Sequence, residues 1–87
     1  MTISTQHITV GTAAVLLAGP DDMAQRVIIH NTDSAQQVYI GGSDVTVSNG
    51  LHVDGKEERE LTLNPGEALY GVSSNSYVVS VMIQKQQ

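Results

Sequence analysis

Turn signals punctuate this chain about every ten residues, and the apolar runs between them are no longer than a β-strand. The signals are Gly11, Gly19-Pro20-Asp21, Asp33-Ser34-Ala35, Gly41-Gly42, Asn49-Gly50, Asp54-Gly55 and Asn64-Pro65-Gly66-Glu67. Most combine residues that tolerate positive φ with residues whose side chains bond the nearby backbone, so the chain reverses or loosens there. Helical periodicity is nearly absent. The pattern predicts an all-β fold: a compact antiparallel β-sandwich, jelly-roll-like or Greek-key, of about 7–8 short strands.

Alternation within the runs assigns their faces. Thr5 to Val10 alternates weakly through Ile8 and Val10, and residues 1–5 ahead of it are expected to form a flexible N-terminal arm. Ala13 to Ala18 fits a strand, because Gly11 and Gly19-Pro20 leave too little length for a helix. Gln25 to Asn31 sets Val27 and Ile29 on one face and Ile28 and His30 on the other. Gln37 to Gly41 turns Val38 and Ile40 one way and Tyr39 the other, and Glu58 to Leu63 directs Leu61 and Leu63 inward. Ala68 to Ser73 and Tyr77 to Ile83 close the fold, with Tyr77, Val79, Val81 and Ile83 on one face and residues 84–87 as a polar tail. Pro65-Gly66 occupies the central positions of a type II turn.

The stretch Gly41–Gly50 admits two arrangements. Asn49-Gly50 suits a type I′ hairpin pairing Val45–Ser48 with Leu51–Val53. The other is an irregular connection between sheets, with Ser43 and Asp44 side chains bonding backbone amides. Gly41-Gly42, which loosens the chain just before, favours the second.

With 87 residues the chain makes one domain, 1–87, at the small end of what folds alone. It has no cysteine, so neither disulfides nor thiolate metal sites can staple it. Its only aromatics are three tyrosines, leaving Val, Ile, Leu and Ala to build the core. A short chain without staples commonly gains burial by association, and a homo-oligomer is expected. The net charge is −5, and Arg26, Lys56, Arg59 and Lys85 are scattered, so neither nucleic acid nor membrane is an expected partner. No basic n-region opens the chain, and the longest apolar run, Ala13 to Ala18, is too short to span a bilayer.

Residues that carry chemistry in other proteins do not assemble here into a recognisable pattern. His7, His30 and His52 match no zinc spacing. Asp44, Thr46, Ser48 and Asn49 alternate oxygens as a calcium loop does, yet Asn49 and Gly55 stand where an EF-hand needs glycine and a bidentate glutamate. Gly41-Gly42-Ser43-Asp44-Val45 lacks the second glycine of a nucleophile elbow. Glu58 and Glu60 share the face opposite Leu61 and Leu63, as a solvated strand face requires. No enzyme, metal or cofactor is therefore expected. A sugar platform would rest on Tyr39 alone, the best exposed of Tyr39, Tyr70 and Tyr77.

One patch is expected to do more. Ile28, Tyr39, Val78 and Met82 all lie opposite the predicted core face of their strands. If those strands are neighbours, the four make an apolar patch flanked by Arg26, His30 and Gln37, suited to a subunit or capsid interface. The competing arrangement has the Ala13–Ala18 strand or a loop covering it.

The run Val38-Tyr39-Ile40-Gly41-Gly42-Ser43-Asp44-Val45-Thr46-Val47-Ser48-Asn49-Gly50 carries a family resemblance. With Asn31-Thr32 upstream and Asn64-Pro65-Gly66-Glu67-Ala68-Leu69-Tyr70 downstream, it resembles the small β-sandwich proteins of tailed-bacteriophage heads, known as decoration, cement or minor capsid proteins. The likeness spans residues 26 to 83 and rests on spaced turn motifs. It implies a non-enzymatic virion protein, made in the host cytoplasm, that binds the capsid exterior and clamps neighbouring major capsid subunits. It further implies a homotrimer seated where capsomers meet. A tail or fibre accessory module binding a host-surface glycan is the alternative.

Overall fold

A computed structural model of the chain describes residues 2–33 and 36–85. Eight strands follow one another: β1 (Thr2–Val10), β2 (Val15–Ala18), β3 (Gln25–Asn31), β4 (Val38–Gly41), β5 (Leu51–Val53), β6 (Glu58–Leu63), β7 (Leu69–Ser73) and β8 (Tyr77–Lys85). They form two four-stranded sheets, β1-β8-β3-β6 and β2-β7-β4-β5, in which every pairing is antiparallel. First pairs with last, second with seventh, third with sixth, and fourth with fifth. That is the order obtained when one long hairpin is rolled up, and it makes the sandwich a jelly roll.

The core lies between the sheets. Val10, Leu17, Val27, Ile29, Val38, Val53, Val79 and Val81 have essentially no exposure, and Ile40, Leu63 and Leu69 are buried beside them. Strand alternation explains the set, since residues two apart face the same side. Leu61, Tyr77 and Ile83 pack against this cluster from its margins. Aliphatic side chains alone fill the centre, each contributing about 1.5–3 kcal/mol on full burial.

The turn at Asn64–Glu67 forms as its sequence predicts. The amide of Glu67 donates to the Asn64 carbonyl at 3.0 Å, and Gly66 holds φ +85°. Less expected is its packing on the β2–β3 connection, where the amide of Gly66 donates to the Asp21 carbonyl at 2.8 Å. Gly19 there also takes a positive φ, +72°, and a Cβ on it would collide with the Glu67 carbonyl.

Several expectations need correction. Residues 2–5 are not a flexible arm but the first half of β1, in register with β8 from Thr2↔Lys85 onward; Met1 lies outside the described residues. Gln84 and Lys85 belong to β8 rather than to a tail, while Gln86 and Gln87 are not described. Ala13 and Ala14 precede β2. Of the turn at 33–35 only Asp33 is described, its side chain accepting the Gln36 amide at 2.9 Å.

Val45–Ser48 is not a strand, so the Asn49-Gly50 hairpin does not form, and the irregular arrangement holds. It joins two strands of one sheet, however, not two sheets, because β4 pairs with β5. Its backbone is held by Asn49 and Thr46 rather than by Ser43 and Asp44. The Asn49 side-chain oxygen accepts the Thr46 amide at 2.8 Å, and Thr46 Oγ1 accepts the Ser48 amide at 3.2 Å.

A candidate docking face on the outer side of the first sheet

The registers of β1, β8, β3 and β6 align their outward residues into rows. One row runs His7, Ser80, His30, Glu58; the next Thr5, Met82, Ile28, Glu60; the third Ile3, Gln84, Arg26, Thr62. Ile28 and Met82 stand directly opposite each other at the centre. Around them lies a shallow groove of about 730 Å³, lined by Thr5, His7, Ile28, His30, Ser80 and Met82 among others. Ile28 and Met82 give the groove an apolar floor, and the same sheet face exposes Ile3 (60%), Met82 (41%) and Val78 (39%).

Charge sits at one margin. The Arg26 guanidinium donates to Glu60 across the β3–β6 pairing. That hydrogen bond, with the attraction of the two charges, holds the Glu60 carboxyl below its ordinary value and raises Arg26. Pairing the two neutralises that margin, while Glu58, at the end of the first row, puts one carboxylate in the groove's own lining.

Of the four residues expected to share a patch, the structure brings together three on one sheet. Ile28 and Met82 touch the same groove, and Val78 lies on their face four residues farther along β8, beside Thr9. Tyr39 is elsewhere. It belongs to β4, on the outer face of the other sheet, opposite His52. Alternation fixed which side of its strand Tyr39 occupies, but the sheet that strand joins depends on long-range pairing. Arg26 and His30 flank the patch as expected, whereas Gln37 stays with Tyr39. The Ala13–Ala18 segment covers nothing here, since β2 lies in the second sheet. Ile3, which the sequence reading placed in the arm, joins the face instead.

Tyr39 sits in a small polar cluster. Its hydroxyl donates to the Gln37 side-chain oxygen at 2.8 Å, and its ring meets His52 edge-on with centroids 6.4 Å apart. Gln37 Nε2 donates to Asp54 Oδ1 at 2.8 Å, and His52 Nδ1 lies 3.1 Å from the same oxygen. These bonds, Gln37 first, keep the Asp54 carboxyl below the usual carboxylate range. A histidine oriented by a carboxylate is the base half of an acyl-transfer site. Among the described residues no serine or threonine hydroxyl bonds that imidazole, and no group of three or more His, Asp or Glu is placed to hold a metal ion.

Three polar residues are buried among the described residues, Gln25, Asn31 and Ser73, and the sequence marks none of them as buried. Asn31 has no exposure; its side-chain amide donates to the carbonyls of Gln36 and Val53 at 2.7 and 3.0 Å, and its oxygen accepts the Asp33 amide. It thereby ties the end of β3 to β5 in the opposite sheet. Ser73, 1% exposed, donates to the Gln37 carbonyl at 2.9 Å. An Asn at a strand end looks like a turn residue in sequence, and nothing local marks it as a clamp.

No family model matches the chain, and no curated protein sequence does. Among solved structures, a chain from Bacillus endospore appendages, described as a novel family of disulfide-linked pili, has a similar fold. The TM-score is 0.50 at 12% identity, over 94% of this chain and 86% of that one. The likeness is one of fold.

Proposed function

We propose that this protein is a non-enzymatic structural component of a tailed-phage virion. It self-associates and docks on the capsid exterior, stabilising contacts between major capsid subunits. The observation that carries this reading is the uncovered apolar face centred on Ile28 and Met82, which a free-standing monomer would seldom leave in water. The family resemblance of residues 26 to 83 supplies the kind of partner. The pilus likeness adds that a related fold serves in an assembly. Having no cysteine, this chain would assemble without disulfide links.

Mixing purified protein with empty phage heads and sedimenting the particles tests the proposal. Saturable co-sedimentation at many copies per head is expected. Failure to bind heads, together with binding to host cells or glycans, would favour the fibre-module alternative. That alternative would rest on Tyr39, whose hydroxyl is already engaged by Gln37 and whose ring contacts His52, leaving a poor sugar platform.

A further inference from the structure

The sandwich has four strand edges, and three of them carry devices that discourage pairing with another chain. Strand β6 presents Glu58, Arg59 and Glu60. Strand β2 has four residues, a register shift between Leu16 and Ala18, and Pro20 just beyond. Strand β5 has only three residues. The fourth edge, β1, has no such protection. It runs nine residues in unbroken register with β8, contains no proline, lysine, arginine or acidic residue, and is rich in β-branched Thr, Ile and Val. One side of its backbone bonds β8, while the other faces outward at the end of the sheet order.

We infer that β1 is the self-association edge: two copies pair β1 to β1, antiparallel, joining their β1-β8-β3-β6 sheets into one eight-stranded sheet. Two observations choose a second copy over another occupant. The first is charge. On a chain of net charge −5, the one long edge carries no Asp, Glu, Lys or Arg, so two copies meet there without like charges opposed. The second is self-complementarity. A two-fold axis at Gln6, the midpoint of Thr2–Val10, sets Ile3 of one copy opposite Thr9 of the other. Thr9 neighbours Val78 in its own sheet, so Ile3 and Val78, exposed at opposite ends of the face, enter one row. Thr5 likewise meets His7 of the second copy, and the groove around Ile28 and Met82 continues across the join into its twin. An isologous contact of this kind yields dimers.

The inference rests on the self-association in the proposed function and gives a dimer in place of the homotrimer that the resemblance implies, and its test is separable from capsid binding. Gln6 is exposed, so its replacement leaves the core intact. Sedimentation of the full chain should show a dimer. Gln6→Lys and Gln6→Glu should each weaken it roughly tenfold or more by opposing like charges at the axis. An equimolar mixture of the two variants should recover a dimer. Independently of any variant, hydrogen exchange at alternate β1 amides should slow as wild-type concentration rises, while β6 amides stay unchanged. A monomer at all concentrations, a trimer, or charge variants that dimerise as wild type would overturn the inference, as would β1 exchange independent of concentration. Monomeric Gln6→Lys that still binds heads would leave both readings standing. A wild-type dimer that ignores heads would remove only the virion role.

Discussion

In the sheet β1-β8-β3-β6 the strands pair over nine, seven and six residues without a break. In β2-β7-β4-β5 no pairing exceeds four residues, and one carries a register shift. Both sheets contribute to the same aliphatic core, so burial alone does not distinguish them. The long sheet is held by its ladder, spread over many equivalent bonds. The short sheet depends on a few particular contacts: Asn31 reaching Val53, Ser73 reaching the Gln37 carbonyl, and the Gly19 connection against Glu67. Distributed support leaves the outer side of the long sheet free to present Ile28 and Met82, because its ladder is made of backbone bonds. Concentrated support makes the short sheet intolerant at specific points.

The sharpest division between the sheets should appear at Asn31. Asn31→Ala removes the partner of the buried Val53 carbonyl and two further part-buried hydrogen bonds, to the Gln36 carbonyl and the Asp33 amide, and unfolding experiments in denaturant should register a loss of about 3 kcal/mol. A loss below about 1 kcal/mol would mean that the short sheet does not depend on this clamp. Gly19→Ala comes next, at about 2 kcal/mol, since it adds a collision with a backbone carbonyl to an unfavourable φ. Gly66→Ala, with the same sign of φ but open space around it, should cost about 1 kcal/mol. If thermal melts rank Gly66 above Gly19, the packing of the two connections against each other is not important.

Acid should produce the smallest effect. The carboxyls of Glu60, Asp54 and Asp21 are held low by Arg26, by Gln37 and by Lys85 respectively. Groups with a depressed folded pKa favour folding above their unfolded pKa and cease to do so as pH falls through the folded value. The melting temperature should therefore stay level near neutral pH and decline only below about pH 4. Glu60 and Asp54 are about half exposed and Asp21 is part-exposed, so the decline should be shallow. A steep acid transition would point to a buried carboxylate that the structure does not contain among its described residues.

Local patterning carried much of this fold. The predicted core face of Val27, Ile29, Val38, Ile40, Val79 and Val81 is buried throughout, and β3 keeps its expected bounds. The Pro65-Gly66 turn follows from two residues whose φ preferences leave few options. Sheet membership was not legible, because period-two alternation says which side a residue takes but not which strand lies beside it. That is why Tyr39 was grouped with Ile28 and Met82. The start of β1 was missed for a related reason. Ile3 faces outward while Ile8 and Val10 face inward, so the run lacks clean apolar alternation, and only its β-branched content hinted at a strand. Asn31 was read through the resemblance as a motif residue, and its clamping role depends on Val53, twenty-two positions away.

The central claim is that the outer face of the long sheet docks on a capsid and the outer face of the short sheet does not. Two single substitutions on opposite sides of the sandwich test it directly, Met82→Glu and Tyr39→Asp, each checked for folding by circular dichroism and then titrated against empty heads. Met82 is 41% exposed, so Met82→Glu should change stability by no more than about 0.5 kcal/mol. It should nevertheless lose head binding, while Tyr39→Asp binds as wild type does. A folded Met82→Glu that decorates heads normally, or a folded Tyr39→Asp that fails to, would contradict the account.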